Sequence, residues 1–206
     1  MDFSEEDRAE LLESAEMSLN RLNRLVENLL DLSRLQAGAL HLELRATALE
    51  EVLPAALESL DLPSADTPAI DVQNLETVPA LRADPPLLER VLANLVGNAV
   101  RHAPGDRPVL VTASALAGRV EVRIADRGPG IAADDRERAF EPFQRLGDRD
   151  NTAGLGLGLA LARGLTEAMN GTLTPEDTPG GGLTMVLSLP VAPAPWSPPP
   201  GRIKRT

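Results

Sequence analysis

Asp126-Arg127-Gly128-Pro129-Gly130, followed by Phe140-Glu141-Pro142-Phe143 and then by Gly154-Leu155-Gly156-Leu157-Gly158-Leu159, is the stretch on which the reading of this 206-residue chain turns. Two glycine clusters bracket a polar middle, and the second runs into an apolar helical pattern. Glycines two apart just ahead of a helix let the backbone come close to a polyphosphate, so that N–H groups and the helix N-terminus can face the anion. Gly154 to Leu159 alone reads equally well as an ordinary turn, since glycine marks loops everywhere, but the pairing with the first cluster favours a nucleotide. Two other phosphate-binding patterns fit poorly. A P-loop ends in Gly-Lys-Ser/Thr, and the single lysine is Lys204 in the tail. A dinucleotide fingerprint places Gly-x-Gly-x-x-Gly directly after the first strand, whereas the spacing here is Gly-x-Gly-x-Gly after an irregular stretch.

The composition narrows the function further. A formal charge of -11 opposes a nucleic-acid surface, which needs clustered Lys and Arg to neutralise phosphates. Absence of cysteine removes disulfides, thiolate metal sites and a cysteine nucleophile together. No run approaches the eighteen or so apolar residues of a membrane helix, and the acidic start is unlike a signal peptide, so the expectation is a soluble, cytoplasmic chain. With three Phe, one Trp and no Tyr, the core has to be built from Leu, Val, Ile and Ala.

Outward from the glycine clusters, the chain reads as one αβ domain with a helical appendage. From Ser4 to Ala37 there is no proline or glycine, and Leu12, Ala15, Leu19, Leu22, Val26, Leu29 and Ser33 fall in a heptad rhythm, with Gly38 as the stop. Leu11, Leu25 and Leu32 widen the stripe, as in a helix of a bundle. Such a helix either folds back on its own domain or protrudes and dimerises; the length of the stripe, with no matching helix nearby, favours dimerisation. Leu40 to Leu44 alternates like a strand, and Thr47-Ala48-Leu49-Glu50 has the form of a capping box opening a helix to about Leu60. Residues 63–68 read as a loop, and 69–72 and 80–82 as short strands. Asp84-Pro85-Pro86 starts a helix with Asp84 as cap, carrying Leu87, Leu88, Val91, Leu92, Leu95 and Val96 inward. Asn94 and Asn98 lie four apart on one face of it, followed by Arg101 and His102 in the last turn. Two β-branched runs at 108–115 and 119–124 form a hairpin leading to Asp126. After Leu159 a helix runs to about Met169 with Gly171 ending it, then come strands at 172–174 and 183–189 joined by Thr178-Pro179-Gly180-Gly181-Gly182, and a proline-rich tail ending in Arg202-Ile203-Lys204-Arg205.

Asn-x-x-x-Asn on a helix, Asp-x-Gly-x-Gly after a strand, Phe-x-x-Phe, and Gly-x-Gly-x-Gly opening a helix, in that order, resemble the N, G1, F and G2 boxes of the Bergerat (GHKL) ATPase superfamily, and among them the catalytic domain of sensor histidine kinases. The resemblance covers roughly Leu40 to Val191, and the run from Gly154 to Thr178 is most similar to KdpD-type potassium and turgor sensors. It implies an α+β fold: a two-layer α/β sandwich with a mixed, mainly antiparallel sheet and helices on one face. Residues 1–38 would precede it as the second helix of a dimerisation and phosphotransfer hairpin, residues 39–191 would be the ATP-binding domain, and 192–206 a disordered basic tail.

The resemblance also implies roles. Asp126 would accept a hydrogen bond from the adenine amine, Gly128 and Gly130 would leave room for the purine, and Ile131 would lie against its face. Asn98 would ligate Mg²⁺ with Asn94 in support. Arg101 and His102 fall beside the phosphates, where histidine departs from the family's aromatic ring. Phe143 belongs to the F box, and Arg145 after it would reach the γ-phosphate. Gly154, Leu155, Gly156, Leu157 and Gly158 would turn a lid and present N–H groups to the phosphates, and Thr184 would sit near the adenine. Residues 131–153 are expected to form the mobile lid. The cofactors implied are ATP and Mg²⁺. The partners implied are a second copy through residues 4–37, a response regulator, and the segment that carries the phospho-accepting histidine; no nucleic acid is expected. The family's His-Glu-x-x-x-Pro setting is missing here, and His41 stands in a strand-like stretch. The chain is therefore expected to be the C-terminal part of a larger kinase, such as the soluble end of a membrane-anchored sensor, or a truncated product of one, and not to autophosphorylate alone. A hydrolase or clamp of the same superfamily would need a glutamate where Asn94 stands, and a purely dimerising module would not need the four motifs.

Overall fold

The computed structural model describes residues 4–60, 68–144 and 156–193. Helix α1, Glu5–Gln36, ends where the heptad pattern predicts. Gly38 adopts φ +63° and the N–H groups of Gly38 and Ala39 return to the carbonyls of Leu35 and Arg34, satisfying the last turn. Leu12, Leu19, Leu22, Val26 and Leu29 of its stripe are exposed. The C-terminal half of α1 instead rests on the domain through other residues: Leu35, and Asp31 and Glu27, which pair with Arg90. The helix thus folds back on its own domain over this half and leaves the heptad stripe exposed.

The strand expected at Leu40–Leu44 is not formed. Leu40, Leu42 and Leu44 do pack on the core while His41 and Glu43 face outward, but among the described residues no strand lies alongside to complete a ladder. Strand β1 is Arg45–Thr47, and it pairs antiparallel with β3, Leu81–Ala83, in a two-stranded sheet. The capping box fails for the opposite reason, because a strand partner is present. The Thr47 hydroxyl donates to the Ala83 carbonyl across that pair, 3.2 Å, so helix α2, Leu49–Glu58, begins after Ala48 with no side-chain cap.

The main sheet has the order β2-β4-β5-β7-β6, made of Ile70–Gln73 (β2), Val109–Leu116 (β4), Arg119–Ala125 (β5), Thr172–Asp177 (β6) and Leu183–Pro190 (β7). Among the described residues only the β2–β4 pair of this sheet is parallel; the others are antiparallel. The β4–β5 hairpin turns on Ala117 and Gly118, both at positive φ, the mirror-image turn that suits strand twist. Val111, Val122, Ile124, Met185, Leu187 and Leu189 alternate onto one face, where they form a single core with α2 and with two further helices, α3 (Pro85–His102) and α4 (Gly158–Ala168). The opposite face is polar: Arg123 pairs with Glu176, and Arg119 donates to the hydroxyl and carbonyl of Ser188. This is the expected two-layer α+β arrangement.

Helix α3 begins as predicted, the Asp84 carboxylate accepting from Leu87 N–H at 3.3 Å and also from Glu43 N–H at 2.8 Å. Leu88, Val91, Leu92, Leu95 and Val96 are fully buried, with Leu87 at the margin. Helix α4 ends differently from the sequence reading. Asn170, not Gly171, takes the left-handed conformation at φ +60°, and Gly171 N–H bonds back to Thr166 at 2.8 Å. Gly171 is needed for space, because a Cβ there would lie 2.7 Å from Leu189, Ser188 and Thr166.

Candidate functional site

Asn94, Asn98 and His102 follow one another at four-residue steps along α3, so each is roughly 6 Å up the helix from the last. The two glycine clusters meet this row at its ends. At one end a Cβ on Gly158, the first residue of α4, would stand 2.9 Å from Asn94 Oδ1. At the other, a Cβ on Gly128 would stand 2.3 Å from the His102 carbonyl. Asn98 is left between them, half-buried. The Asn94 amide donates to the Arg90 carbonyl at 2.9 Å, which turns its oxygen toward α4. Glycine at 128 thus makes room for the end of α3, a constraint separate from the space expected for a purine.

Asp126 follows the last residue of β5 and is 3% exposed. Its Oδ1 accepts two backbone N–H groups, from Gly128 at 2.8 Å and Leu183 at 3.1 Å, while Asp126 N–H donates to the Leu183 carbonyl. The carboxylate is therefore held in one orientation, and its second oxygen has no hydrogen-bond partner among the described residues. Leu183 and Gly182 were invisible to the motif reading because they act through backbone. Gly182 sits at φ +112° with the Asp126 carbonyl 2.1 Å from where a Cβ would be, so the glycine run before β7 is what lets the two chains meet. Gly130, at φ +71°, packs against the Gly182 carbonyl, and Ile131 lies half-buried beside it.

Thr184 is placed differently from the rest. It pairs with Ala125 in the β5–β7 ladder, so strand alternation puts its side chain on the sheet face opposite Asp126 and Leu183. There its hydroxyl bonds Thr178 at 2.8 Å, both residues being buried. The structure does not bring Thr184 together with the other candidate residues.

The F segment is anchored rather than free. Phe140 is buried in the core with the Arg163 guanidinium 4.8 Å from its ring centre. Phe143, at φ +66° and exposed, donates its N–H to the Gly156 carbonyl at 3.1 Å, and Gly156, at φ +70°, has the Gln144 carbonyl 2.4 Å from its missing Cβ. Arg136 bonds Asp177 at 2.5 Å. Residues 131–144 are thus tied to α4 and β6 through Arg163, Arg136 and the Phe143 backbone, and residues 145–153 of the expected lid lie outside the described residues. Arg145, Gly154 and Leu155 lie outside the described residues; Leu157 is buried just ahead of α4. Arg101 is exposed on the last turn of α3.

A concavity of about 430 Å³ at the other end of α3, lined by His41, Glu43, Arg45 and residues 84–87, competes poorly as the site, since both oxygens of Asp84 are already bonded. Among the described residues no group of three or more His, Asp or Glu could hold a metal, and no helix is long and apolar enough to cross a membrane. An amide oxygen such as that of Asn98 is a ligand type that suits a hard cation such as Mg²⁺.

Comparisons with known proteins agree with this geometry. The profile of the "Histidine kinase-, DNA gyrase B-, and HSP90-like ATPase" family matches residues 83–193, from the start of α3 to beyond β7. "Sensor protein KdpD" of Rathayibacter rathayi is 51% identical over 173 residues, covering 84% of this chain and 20% of that protein. "Sensor protein KdpD" of Mycobacterium tuberculosis is 48% identical over 194 residues, covering 91% and 22%. The chain thus spans about a fifth of the length of these relatives. Among solved structures, full-length ShkA in complex with AMPPNP superposes with a TM-score of 0.70 at 33% identity, covering 94% of this chain and 41% of that one. The mycobacterial sensor histidine kinase MprB superposes at 0.60 and 27%, covering 74% and 99%. With more than half of its length matched, and with the asparagine row and both glycine clusters inside the match, the chain belongs to the histidine kinase-, DNA gyrase B- and HSP90-like ATPase family, as an ATP-binding catalytic domain of the sensor histidine kinase kind.

Proposed function

We propose that this domain binds Mg-ATP and positions its γ-phosphate for transfer to a histidine outside the chain, as part of a KdpD-like sensor in a two-component system. The observation that carries the reading is the row Asn94–Asn98–His102 bracketed by Gly158 and Gly128, with the oriented Asp126 carboxylate beside it. The free oxygen of Asp126 would accept from the adenine amine, a donor that guanine lacks at that position, with Gly130 and Ile131 against the ring. Asn98 would ligate Mg²⁺, supported by Asn94; bound Mg²⁺ would neutralise charge on the phosphates. Backbone N–H groups from Gly154 through Gly158, with Arg101 and Arg145, would face the phosphates, and Phe143 would border them. Transfer in such a site is positioning and electrostatics, and neither asparagine of the row can act as a base toward water; Asn94 stands where a hydrolase would need a glutamate. The acceptor is neither His41, in an extended stretch, nor His102, at the end of α3. The exposed stripe of α1 would pair with a second copy and with the helix bearing the acceptor, a response regulator would receive the phosphoryl group, and the reaction would take place in the cytoplasm.

The test is to incubate the chain with labelled Mg-ATP, alone and with a separate polypeptide carrying a His-Glu-x-x-x-Pro hairpin helix. Acid-labile label on that polypeptide, and none on this chain, is the expected outcome. Label on His41 or His102, or none in either case despite nucleotide binding, refutes the transfer reading.

A further inference from the structure

Three fixed units surround the asparagine row. Helix α3 is the first, and β5 with the Gly182–Leu183 backbone, which holds Asp126, is the second. The third is α4 together with the F segment, and what joins its two parts is Arg163. This residue lies in the second turn of α4. Its guanidinium covers the ring of buried Phe140, its Nη1 donates to Glu137 at 2.8 Å, and its Nε donates to Glu167 one turn along the helix at 3.1 Å. Glu137 and Phe140 belong to the turn that leads into Phe143 and Gln144, and those residues are tied to Gly156, just ahead of α4. The hydrogen bond donated to Glu137, reinforced by the one to Glu167, raises the Arg163 pKa above its ordinary value despite partial burial. The same α4 puts Gly158 against Asn94.

We infer that Arg163 is a positioning residue for the phosphate end of the nucleotide: by clamping Glu137 and Phe140 to α4 it fixes the F segment, Gly156 and the start of α4 in one register beside Asn94. The inference rests on the nucleotide reading above. It makes a distinction that simple loss of stability would not. Asp126 is held by the backbone of Gly128 and Leu183, neither of which is a hydrogen-bond partner of Arg163, so loss of the clamp loosens contacts to phosphates and leaves contacts to the base in place.

The experiment compares the full chain with Arg163→Met, which keeps an unbranched apolar stem over Phe140, and Arg163→Lys, which restores a cation. Binding of Mg-ATP and of AMP is followed by amide chemical-shift titration, which reads weak as well as tight binding, alongside thermal melting. Arg163→Met is expected to bind Mg-ATP about tenfold more weakly, the effect of losing a ring-stacked cation and a partly exposed ion pair. Its AMP affinity is expected to stay at the wild-type value, with Arg163→Lys intermediate for Mg-ATP. Wild-type Mg-ATP affinity in Arg163→Met, or equal losses for Mg-ATP and AMP, overturns the inference. Asp126→Asn in the same titrations separates this from the site itself. If that variant loses no AMP affinity, the nucleotide assignment falls and this inference with it; if it does and Arg163→Met matches wild type, only the role of Arg163 falls.

Discussion

Replacing Asp126 by asparagine removes one atom's chemistry and little else. The asparagine oxygen can still accept from Gly128 and Leu183 N–H, so the two backbone bonds that orient the side chain survive and the fold should be kept. The amide nitrogen then takes the place of the free carboxylate oxygen. For a bound adenine this replaces an acceptor by a donor opposite the exocyclic amine. A hydrogen bond to a charged group contributes about 1.5–3 kcal/mol, and leaving a buried donor facing a donor costs on the order of 1–3 kcal/mol more. Because the carboxylate is 3% exposed, water offers little compensation, and a total of about 3 kcal/mol corresponds to a weakening of ATP binding of roughly two orders of magnitude. Titration with a fluorescent ATP analogue measures this directly, with a thermal melt on the same sample to show that the domain is folded. Binding within a factor of two of wild type by a folded Asp126→Asn protein would refute both the base contact and the assumption that the free oxygen faces the pocket.

Three further outcomes are expected. Asn98→Ala should retain nucleotide binding in EDTA and lose the increment that Mg²⁺ adds, seen as titration curves that no longer differ with and without the metal. Gly182→Ala should lower stability by about 2–4 kcal/mol, because φ +112° is a glycine conformation and the new Cβ would meet the Asp126 carbonyl; urea unfolding measures it, and a loss under 0.5 kcal/mol would contradict the geometry. Asp31→Ala, which strips the buried carboxylate from Arg90, should destabilise the α1-to-α3 contact by about 1–2 kcal/mol after allowing for the partial exposure of Arg90, read as earlier hydrogen exchange in the last two turns of α1.

What could be read in the sequence was whatever a side chain or a period announces. The heptad of α1, the Asp84 cap with two prolines behind it, the apolar face of α3 and the β-branched hairpin all appear at their expected places, since each is set by contacts within a few residues. The errors fall where a distant partner decides. Leu40–Leu44 alternates because one side meets the core, yet alternation does not say whether a neighbouring strand exists. Thr47 has the spacing of a cap, and its hydroxyl was drawn away by a carbonyl 36 residues further on. Gly171 looked like a helix terminator, while Asn170 took the strained dihedral and the glycine answered to Leu189 across the sheet.

The site divides along the same line. Asn94, Asn98, Asp126, Gly128 and Gly158 were recognisable because they recur as a motif in fixed order, and the structure adds why they converge: each glycine is cut away where another element has to touch the asparagine helix. Motif order carries no information about sheet parity. The resemblance places Thr184 near the adenine, while pairing with Ala125 puts its side chain on the sheet face opposite Asp126, and a one-residue step separates it from Leu183, whose backbone does hold Asp126. Arg163 escaped notice for a different reason. A basic residue on a helix reads as solvated surface, and only the burial of Phe140 beneath it, set by a segment more than twenty residues earlier, turns that charge into part of the frame around the nucleotide site.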